Sequence, residues 1–311
     1  MTTSAPAVAL LVGGTGGGKL AAGLQELLGE RLSAIVNTAD DVVMHGLHIS
    51  VDPDLVTYWL ADAIDEERGW GLRDDRFAVH ERLVRFGAPG WFGLSDLDLA
   101  TSIYRTHFLA EGGTLTAAQA QIARALGVRA RVLPMSEQPV RTYVTTEKGR
   151  RPLQEFLIVD EGEGTIEGVE LEGIEAAGPT ADALAAIAGC EAIIIGPSNP
   201  VISIGPLLAM EPLREAIAAR EVPVIAISPL VAGRSVKGPT EAFLRGLGRP
   251  VTAAGVASLY EGMIDGMIVD ADDPAADPEG IATIRVPTMM SDRASRRALA
   301  ERALEFARSL D

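Results

Sequence analysis

The stretch AVALLVGGTGGGKLAAGLQELLGERLSAIVNT, residues 7–38, decides the fold of this chain. Its continuous apolar run, Ala7–Val12, is typical of a parallel strand that is buried on both faces. A glycine-rich loop follows, then Leu20–Leu32 with leucines at helical spacing, and then a second short strand, Ser33–Val36. A strand–loop–helix–strand unit of this kind usually opens a doubly wound α/β sheet.

The apolar patterns later in the chain extend this α/β unit and predict two additional regions outside the regular strand–helix alternation. Helical spacing predicts a helical insertion at about residues 55–126, and alternating polarity predicts a small antiparallel appendage at about residues 140–172. The predicted helices are Leu55–Ile64, Phe77–Phe86, Leu99–Glu111, Thr116–Leu126, Ala181–Ala188, Leu207–Ala219, Thr240–Gly246 and Asp292–Ser309. The later predicted strands are Val128–Pro134, Val140–Thr146, Phe156–Val159, Thr165–Leu171, Ala192–Ile195, Val222–Ile227, Ile264–Val269 and Ile281–Val286. We therefore predict a Rossmann-like, doubly wound, mostly parallel sheet in a single domain spanning residues 1–311.

Composition restricts the class of protein. Hydrophobic residues make up 47% of the 311 residues and aromatics only 5%, as expected of aliphatic strands under Ala/Leu helices. The net charge of −16 argues against nucleic-acid binding, because no basic stripe is present to contact phosphates. One cysteine, Cys190, is typical of a reducing cytosol, and no apolar run reaches membrane-spanning length. We expect a cytoplasmic protein without nucleic-acid or membrane partners.

The first motif with chemical meaning is the glycine loop, GGTGGGK at residues 13–19. Between a strand and a helix, such a loop can turn backbone N–H groups toward an anion at the positive end of the helix. Its spacing matches neither the Walker A loop nor the dinucleotide fingerprint. A tight turn without a ligand is the alternative, but the glycine density favours phosphate binding. The predicted phosphate-binding residues are Gly14, Thr15, Gly16, Gly17, Gly18 and Lys19.

Acidic residues follow the second strand. Asp40 and Asp41 come at its carboxyl end, where open α/β sheets bind ligands, and the acidic turn Asp52-Pro53-Asp54 lies a little later. Mg²⁺ beside phosphates uses one or two carboxylates and keeps several waters. Adjacent carboxylates point in different directions, so we expect only one of Asp40 and Asp41 to face the ligand. Helix capping by Asp52 or Asp54 is the alternative.

Two further loops follow predicted strands. GPSNP, residues 196–200, is stiffened by two prolines and offers Ser198 and Asn199 as hydrogen-bond donors. The loop at residues 228–239 is glycine-containing and basic, and Lys237 is its candidate anion contact. Both loops are predicted at the same edge of the sheet as the glycine loop.

Taken together, these motifs resemble the 2-phospho-L-lactate transferase family of coenzyme F420 biosynthesis, which includes phosphoenolpyruvate transferases. Seven segments occur in family order over nearly the whole chain. They are GGTGGGK (13–19), VNTADD (36–41), HGLHISVDPD (45–54), WFGLSD (91–96), LPMSEQPVRTY (133–143), GPSNPVISIGP (196–206) and SPLVAGRSVKGP (228–239). The resemblance implies a Rossmann-like fold, a homodimer and a Mg²⁺-dependent reaction. In that reaction the ribityl hydroxyl of the deazaflavin FO attacks lactyl-2-diphospho-5′-guanosine or its enolpyruvyl counterpart, which gives F420-0 or dehydro-F420-0 and GMP.

The resemblance also implies roles for particular residues. The glycine loop, Ser198, Asn199 and Lys237 would hold the donor diphosphate. Asp41 and Asp54 would be the catalytic carboxylates and the Mg²⁺ ligands, and the sequence does not separate these two roles. Asp54 and Asp96 would contact the deazaflavin. Gly93 stands where the family usually has a basic residue, and Arg82, Arg85 and Arg105 are the candidates to replace it.

Two other classes of function are compatible with parts of the sequence. A nucleotide-sugar-binding regulatory protein of the related gluconeogenesis-factor group would share the glycine loop and the fold. The VNTADD and SVKGP segments favour the transferase over this regulator. A dinucleotide-dependent oxidoreductase is disfavoured because the glycine spacing departs from its fingerprint.

Overall fold

The computed structural model describes residues 7–310, and a seven-stranded parallel sheet forms its centre. In chain order the strands are β1 (Val8–Val12), β2 (Leu32–Val36), β3 (Val42–Met44), β4 (Leu47–Ile49), β5 (Arg131–Pro134), β6 (Arg141–Thr146), β7 (Gly149–Pro152), β8 (Ile166–Glu172), β9 (Ala192–Ile195), β10 (Val224–Ile227), β11 (Leu230–Val231), β12 (Arg234–Ser235), β13 (Gly266–Asp270) and β14 (Ala282–Val286). The helices are α1 (Gly14–Leu28), α2 (Val51–Leu60), α3 (Ala78–Arg85), α4 (Asp96–Ala110), α5 (Leu115–Ala125), α6 (Leu153–Ile158), α7 (Ala181–Ala188), α8 (Gly205–Ala209), α9 (Glu211–Ala218), α10 (Thr240–Gly246), α11 (Ala253–Ala257) and α12 (Arg293–Arg308).

The strand order of the central sheet is β14-β13-β10-β9-β1-β2-β5, and every neighbouring pair is parallel. The chain therefore builds outward from β1 in both directions, first through β2 to β5 and later through β9 to β14. The direction reverses between β1 and β9, and open α/β sheets bind their ligands at such a switch point. The predicted Rossmann-like, doubly wound fold is confirmed.

The central strands are apolar because helices cover both faces of the sheet. All residues of β1, β9, β10 and β13 are buried. Alternate residues of β1 enter opposite layers of the core: Ala9 and Leu11 pack on one side, and Val8, Leu10 and Val12 pack on the other. This two-residue period fixes which face of each strand meets which helical layer.

The segment between β2 and β5 contains the four helices that helical spacing predicts, α2 to α5. It also contains a hairpin, β3–β4, which lies ahead of the predicted insertion. The antiparallel sheet of β6, β7 and β8 lies within the region predicted as an appendage. The division of residues 1–311 into one domain stays a prediction.

Two predicted elements are wrong. Phe156–Val159, predicted as a strand, largely belongs to α6, in which Leu153 and Phe156 share a buried face. So short a segment fits either structure, and the alternating polarity that suggested strands in this region does not distinguish them here. The predicted helix Leu207–Ala219 is two helices separated at Met210, whose ψ of 104° is extended. Within residues 7–310, no helix is long and apolar enough to cross a membrane.

Candidate functional site

A cavity of about 460 Å³ opens at the carboxyl edge of the central sheet. The loops that follow β1, β2, β9 and β10 all contribute to its walls. The residues of these loops that line it are Gly13, Gly14, Thr15, Gly16, Asp40, Pro197, Ser198, Asn199, Ser228 and Pro229. The cavity therefore lies where a doubly wound sheet is expected to bind its ligand.

Helix α1 points its first turn into this cavity. Gly14 has φ +64°, so the backbone turns sharply from β1 into the helix, in a conformation that favours glycine. The N–H of Gly13 donates to Ser198 Oγ at 3.2 Å, and the N–H of Gly14 donates to Asp52 Oδ1 at 2.8 Å. The next two amides, of Thr15 and Gly16, have no helical acceptor at this position, and both residues line the cavity. They are the N–H groups that remain for an anion.

The glycines that follow serve close packing. A Cβ on Gly18 would lie 2.5 Å from Trp59 Cδ1, and one on Gly17 would lie 2.5 Å from Ser198 Oγ. A Cβ on Gly16 would overlap the carbonyl oxygen of Pro197. Gly17 and Gly18 lie outside the cavity lining. Much of the glycine density thus reflects how tightly α1 approaches its neighbours, and the phosphate-binding roles of Gly17 and Gly18 stay predictions.

Two lysines supply positive charge to the cavity, although the whole chain contains only three. Lys19 Nζ donates to the carbonyl of Met290 at 2.9 Å and lies 5.5 Å from the ring centre of Trp59. Burial lowers the pKa of Lys19, and the nearby positive charge of Arg296 lowers it further. Burial and the charge of Lys19 likewise lower the pKa of Lys237. Both cations therefore line the cavity that would receive an anionic ligand.

A loop beside α2 contacts the same anion-binding groups. The carbonyl of Gly69 accepts a hydrogen bond from Thr15 Oγ1 at 3.2 Å and another from Lys237 Nζ at 3.4 Å. Lys237 Nζ also donates to the carbonyl of Arg68 at 3.2 Å. The hydroxyl of Thr15 and the ammonium group of Lys237 thus donate to backbone oxygens, and both could donate to phosphate oxygens instead.

Asp40 and Asp52 line the same cavity as these cations, and both are at least 94% buried. Asp52 accepts from Gly14 N–H and from Asn37 Nδ2, the latter at 2.9 Å, so it holds the turn into α1. Asp40 Oδ1 is buried and has no hydrogen-bond partner among residues 7–310. Burial and the neighbouring Asp52 raise the pKa of Asp40 well above its usual range, and burial raises that of Asp52 to about 6. A bound cation would offset the unfavourable burial of negative charge on these two carboxylates.

Asp41 faces a second, smaller cavity of about 180 Å³. Its Oδ2 lies 2.8 Å from His48 Nε2 and accepts from Ser50 Oγ at 2.8 Å. Its Oδ1 is buried and, within the described range, has no hydrogen-bond partner. The adjacent carboxylates of Asp40 and Asp41 therefore face different cavities, as the sequence led us to expect.

Asp54 lies outside both cavities and pairs with Arg105, whose side chain is fully buried. Arg105 Nη1 donates to Asp54 Oδ2 at 3.0 Å, and Nη2 donates to Asp54 Oδ1 and to Gln119 Oε1. Arg105 is therefore not free to replace the basic residue that the family has at Gly93. No side chain caps the start of α2, so Asp52 and Asp54 do not have the capping role considered as their alternative.

Asp96 and Asn199 each stabilise local backbone. Asp96 Oδ1 accepts from the N–H of Val79 at 3.0 Å, near the start of α3, and Asp96 lies outside both cavities. Asn199 Oδ1 accepts from the N–H of Val201 at 2.9 Å, which fixes the turn after β9. Asn199 nevertheless lines the large cavity. The deazaflavin contacts of Asp54 and Asp96 stay predictions.

The structure brings together most residues predicted to bind phosphate. Those that line the large cavity are Gly14, Thr15, Gly16, Lys19, Ser198, Asn199 and Lys237. Asp52, which holds the turn, belongs to the acidic turn considered for Mg²⁺ binding or helix capping, but it is not among the predicted site residues. Gln154 on α6 also lines the cavity and was not predicted, because it lies next to a segment predicted as a strand.

Comparisons with known proteins agree with the family resemblance. The family model for the 2-phospho-L-lactate transferase CofD matches residues 8–288. A 2-phospho-L-lactate transferase from Methanosarcina mazei is 36% identical over 294 residues, which cover 93% of this chain and 96% of that protein. A phosphoenolpyruvate transferase from Streptomyces griseus is 38% identical over 311 residues, covering 96% and 98%. Among solved structures, a UPF0052 family protein from Bacillus halodurans is 19% identical with a TM-score of 0.64, covering 96% and 98%, and this likeness supports the fold alone.

Proposed function

The chain belongs to the 2-phospho-L-lactate transferase CofD family, and we propose that it transfers a phospholactyl or phosphoenolpyruvyl group from a guanosine diphosphate-linked donor to the deazaflavin FO. The observation that carries this proposal is one cavity whose lining contains the start of α1, Lys19, Lys237 and Asp40. Backbone amides at a helix start and two lysines suit a diphosphate. A buried carboxylate beside them suits the divalent cation that accompanies a diphosphate.

In the proposed reaction, the ribityl hydroxyl oxygen of FO attacks the phosphorus that carries the three-carbon acid. A new P–O bond forms to FO, the P–O bond to GMP breaks, and the hydroxyl proton is lost. Enzymes accelerate such transfers mainly by positioning and charge neutralisation. Lys19, Lys237 and the amides of Thr15 and Gly16 would bind the diphosphate and stabilise the charge that develops on departing GMP.

Asp40 is the residue that we propose to hold Mg²⁺. Its Oδ1 is buried without a hydrogen-bond partner within the described residues, and its raised pKa reflects the cost of holding a negative charge there alone. The metal, when bound, would neutralise part of the diphosphate charge. No group of three or more His, Cys, Asp or Glu in residues 7–310 is arranged as a metal site. A Mg²⁺ held by one carboxylate, phosphate oxygens and waters needs no such group.

Of the two carboxylates that the family resemblance implies as catalytic, Asp41 better suits an acceptor role. It directly follows Asp40, it lines the second cavity, and its Oδ1 has no hydrogen-bond partner within residues 7–310. Both oxygens of Asp54 are bound by Arg105. We therefore propose that Asp41 orients the acceptor hydroxyl and that Asp54 supports the site through its ion pair.

The test is a transfer assay with FO and each of three donors, carrying lactate, phosphoenolpyruvate or phosphoglycerate, with products identified by mass spectrometry. We expect one donor to give a phosphodiester of FO together with GMP, and we expect EDTA to stop the reaction until Mg²⁺ is restored. Lys19→Met should greatly slow transfer, whereas Lys148→Met, at the third lysine and outside the cavity, should not. Unchanged FO fluorescence on mixing, with no product from any donor, would instead favour a nucleotide-binding regulator.

A further inference from the structure

A glutamine without a partner lies in the wall of the large cavity. Gln154 is 7% exposed, lines the cavity, and has no hydrogen bond to any residue in the part of the chain that the structure describes. The other two buried glutamines are fully engaged. Gln25 bonds to Leu60 and to the amides of Arg129 and Ala130, and Gln119 bonds to Thr57 and Arg105. Among the three buried glutamines of residues 7–310, Gln154 is therefore the one whose carboxamide has no hydrogen bond to the protein.

The fold explains why this side chain faces the cavity. Leu153 and Phe156 of α6 pack into a small core with Phe243 and Ile202. Gln154 and Leu157, three residues apart on the helix, share the adjacent face and line the cavity together. The carboxamide of Gln154 therefore faces the cavity with both its oxygen and its NH₂ group free of protein partners within residues 7–310, so both can bond to a ligand.

The surroundings of Gln154 suit a flat, largely apolar ligand group with polar edges. Leu157 lines the same wall, and Val231 and Val236 line the cavity from the β11–β12 hairpin. Lys19 and the first turn of α1 line another part of the same cavity. A nucleotide presents both features, since its base has apolar faces and hydrogen-bonding edges and its diphosphate is anionic.

We propose that Gln154 binds the purine base of the guanosine diphosphate-linked donor, an inference that rests on the proposed function. Its Oε1 accepts from guanine N1–H and its Nε2 donates to guanine O6, which satisfies both ends of the carboxamide. Leu157, Val231 and Val236 contact the ring. Gln154 is thus a base-binding residue for the donor and takes no part in the transfer step.

The experiment measures binding of GDP, ADP and inorganic pyrophosphate by calorimetry to the full chain. Gln154→Met keeps the length of the side chain and removes its hydrogen-bonding groups. It should weaken GDP about tenfold or more, the scale of one bidentate base contact, and leave pyrophosphate unchanged. The matched control is Gln121→Met on α5, outside both cavities, which should change neither affinity. Unchanged GDP affinity in folded Gln154→Met would overturn the proposal.

A second variant keeps the test decisive if Gln154→Met folds poorly. A glutamine can reverse its amide and bind adenine, but Gln154→Glu retains only acceptors, which suit guanine N1–H and N2–H. The preference for GDP over ADP should therefore rise about tenfold in Gln154→Glu, and an unchanged preference would overturn the proposal. If the wild-type protein binds GDP through Gln154 but transfers nothing to FO, the proposed function fails and the base contact stands.

Discussion

Replacing Asp54 by Asn would leave the guanidinium of Arg105 buried without a negative partner. Arg105 is fully buried, and apart from Asp54 the acceptors of its side chain within residues 7–310 are Gln119 Oε1 at 3.2 Å and the carbonyl of His48 at 3.4 Å. Its Nε already has no partner within the described residues. Asn removes one acceptor oxygen and turns an NH₂ group toward a donor. The expected effect is therefore on stability.

Removing one partner of a buried ion pair costs about 3–5 kcal/mol, because the remaining charge stays desolvated. In a protein of this size that loss should lower the melting temperature by roughly 5–8 °C. The double variant Asp54→Leu/Arg105→Met replaces the pair by apolar groups and should recover much of the loss. The matched control is Glu305→Gln, which breaks an exposed pair with Arg302 and should cost less than about 1 kcal/mol.

The assay combines thermal unfolding with the rate of transfer to FO, measured well below the melting temperature of each variant. If Asp54 acts through the ion pair, Asp54→Asn melts early but retains turnover within a few-fold while it is folded. A catalytic Asp54 gives the opposite result, with a normal melting temperature and turnover lowered by about 10²-fold or more. The second outcome would refute the structural role that we infer from Arg105.

Three further predictions concern the large cavity. Lys19→Met should weaken GDP binding by about 1.5–3 kcal/mol in calorimetry, because one charge-assisted contact is lost, and unchanged affinity would contradict the anion site. Gly18→Ala should lower the free energy of unfolding in urea by about 1–3 kcal/mol, since the new Cβ meets Trp59, and a variant as stable as wild type would show that α1 can shift. Asp40 and Asp52 have raised pKa values, about 6 for Asp52, so the folded state holds protons that the unfolded chain releases above pH 4. The stability that these bound protons contribute should be lost as the pH rises from about 4 through the folded-state pKa of each carboxyl group, which is about 6 for Asp52. Metal-free urea unfolding at pH 5 and pH 7.5 should show this loss in wild type and a smaller one in Asp40→Asn, and equal losses would count against the carboxylate pair.

Much of the fold follows from local pattern. The strands β1, β9, β10 and β13 are continuous apolar runs because the helices cover both sheet faces, so burial alone marks them in the sequence. Helix α6 could not be found in this way, because Phe156 and Leu153 obtain their partners, Phe243 and Ile202, from distant parts of the chain. The same error concealed Gln154, whose position matters only once α6 is a helix.

The glycine loop shows why a motif can be located more securely than it can be interpreted. Its position between β1 and α1 follows from the sequence, and Thr15, Gly16 and Lys19 do line the cavity. The demand for glycine at positions 17 and 18, however, comes from Val12, Ser198 and Trp59, which approach from three other elements. A glycine-rich loop can therefore result from two requirements, access of an anion to the backbone and close packing of neighbouring elements. Only the tertiary structure shows which glycines serve which requirement.

The choice between Asp40 and Asp41 depends on how one short loop is held. Asn37 Oδ1 accepts from the N–H of Ala39 at 2.9 Å, and the carbonyl of Ala39 accepts from the N–H of Thr142 at 2.9 Å. These bonds fix the backbone so that Asp40 lines the large cavity and Asp41 meets His48 on the other side. Thr142 belongs to β6, far along the chain, so no local pattern contains this information. The side chains of adjacent residues in this loop point in different directions, so the position of one carboxylate determines the position of the other. The metal role that we propose for Asp40 therefore leaves Asp41 on the side of the acceptor.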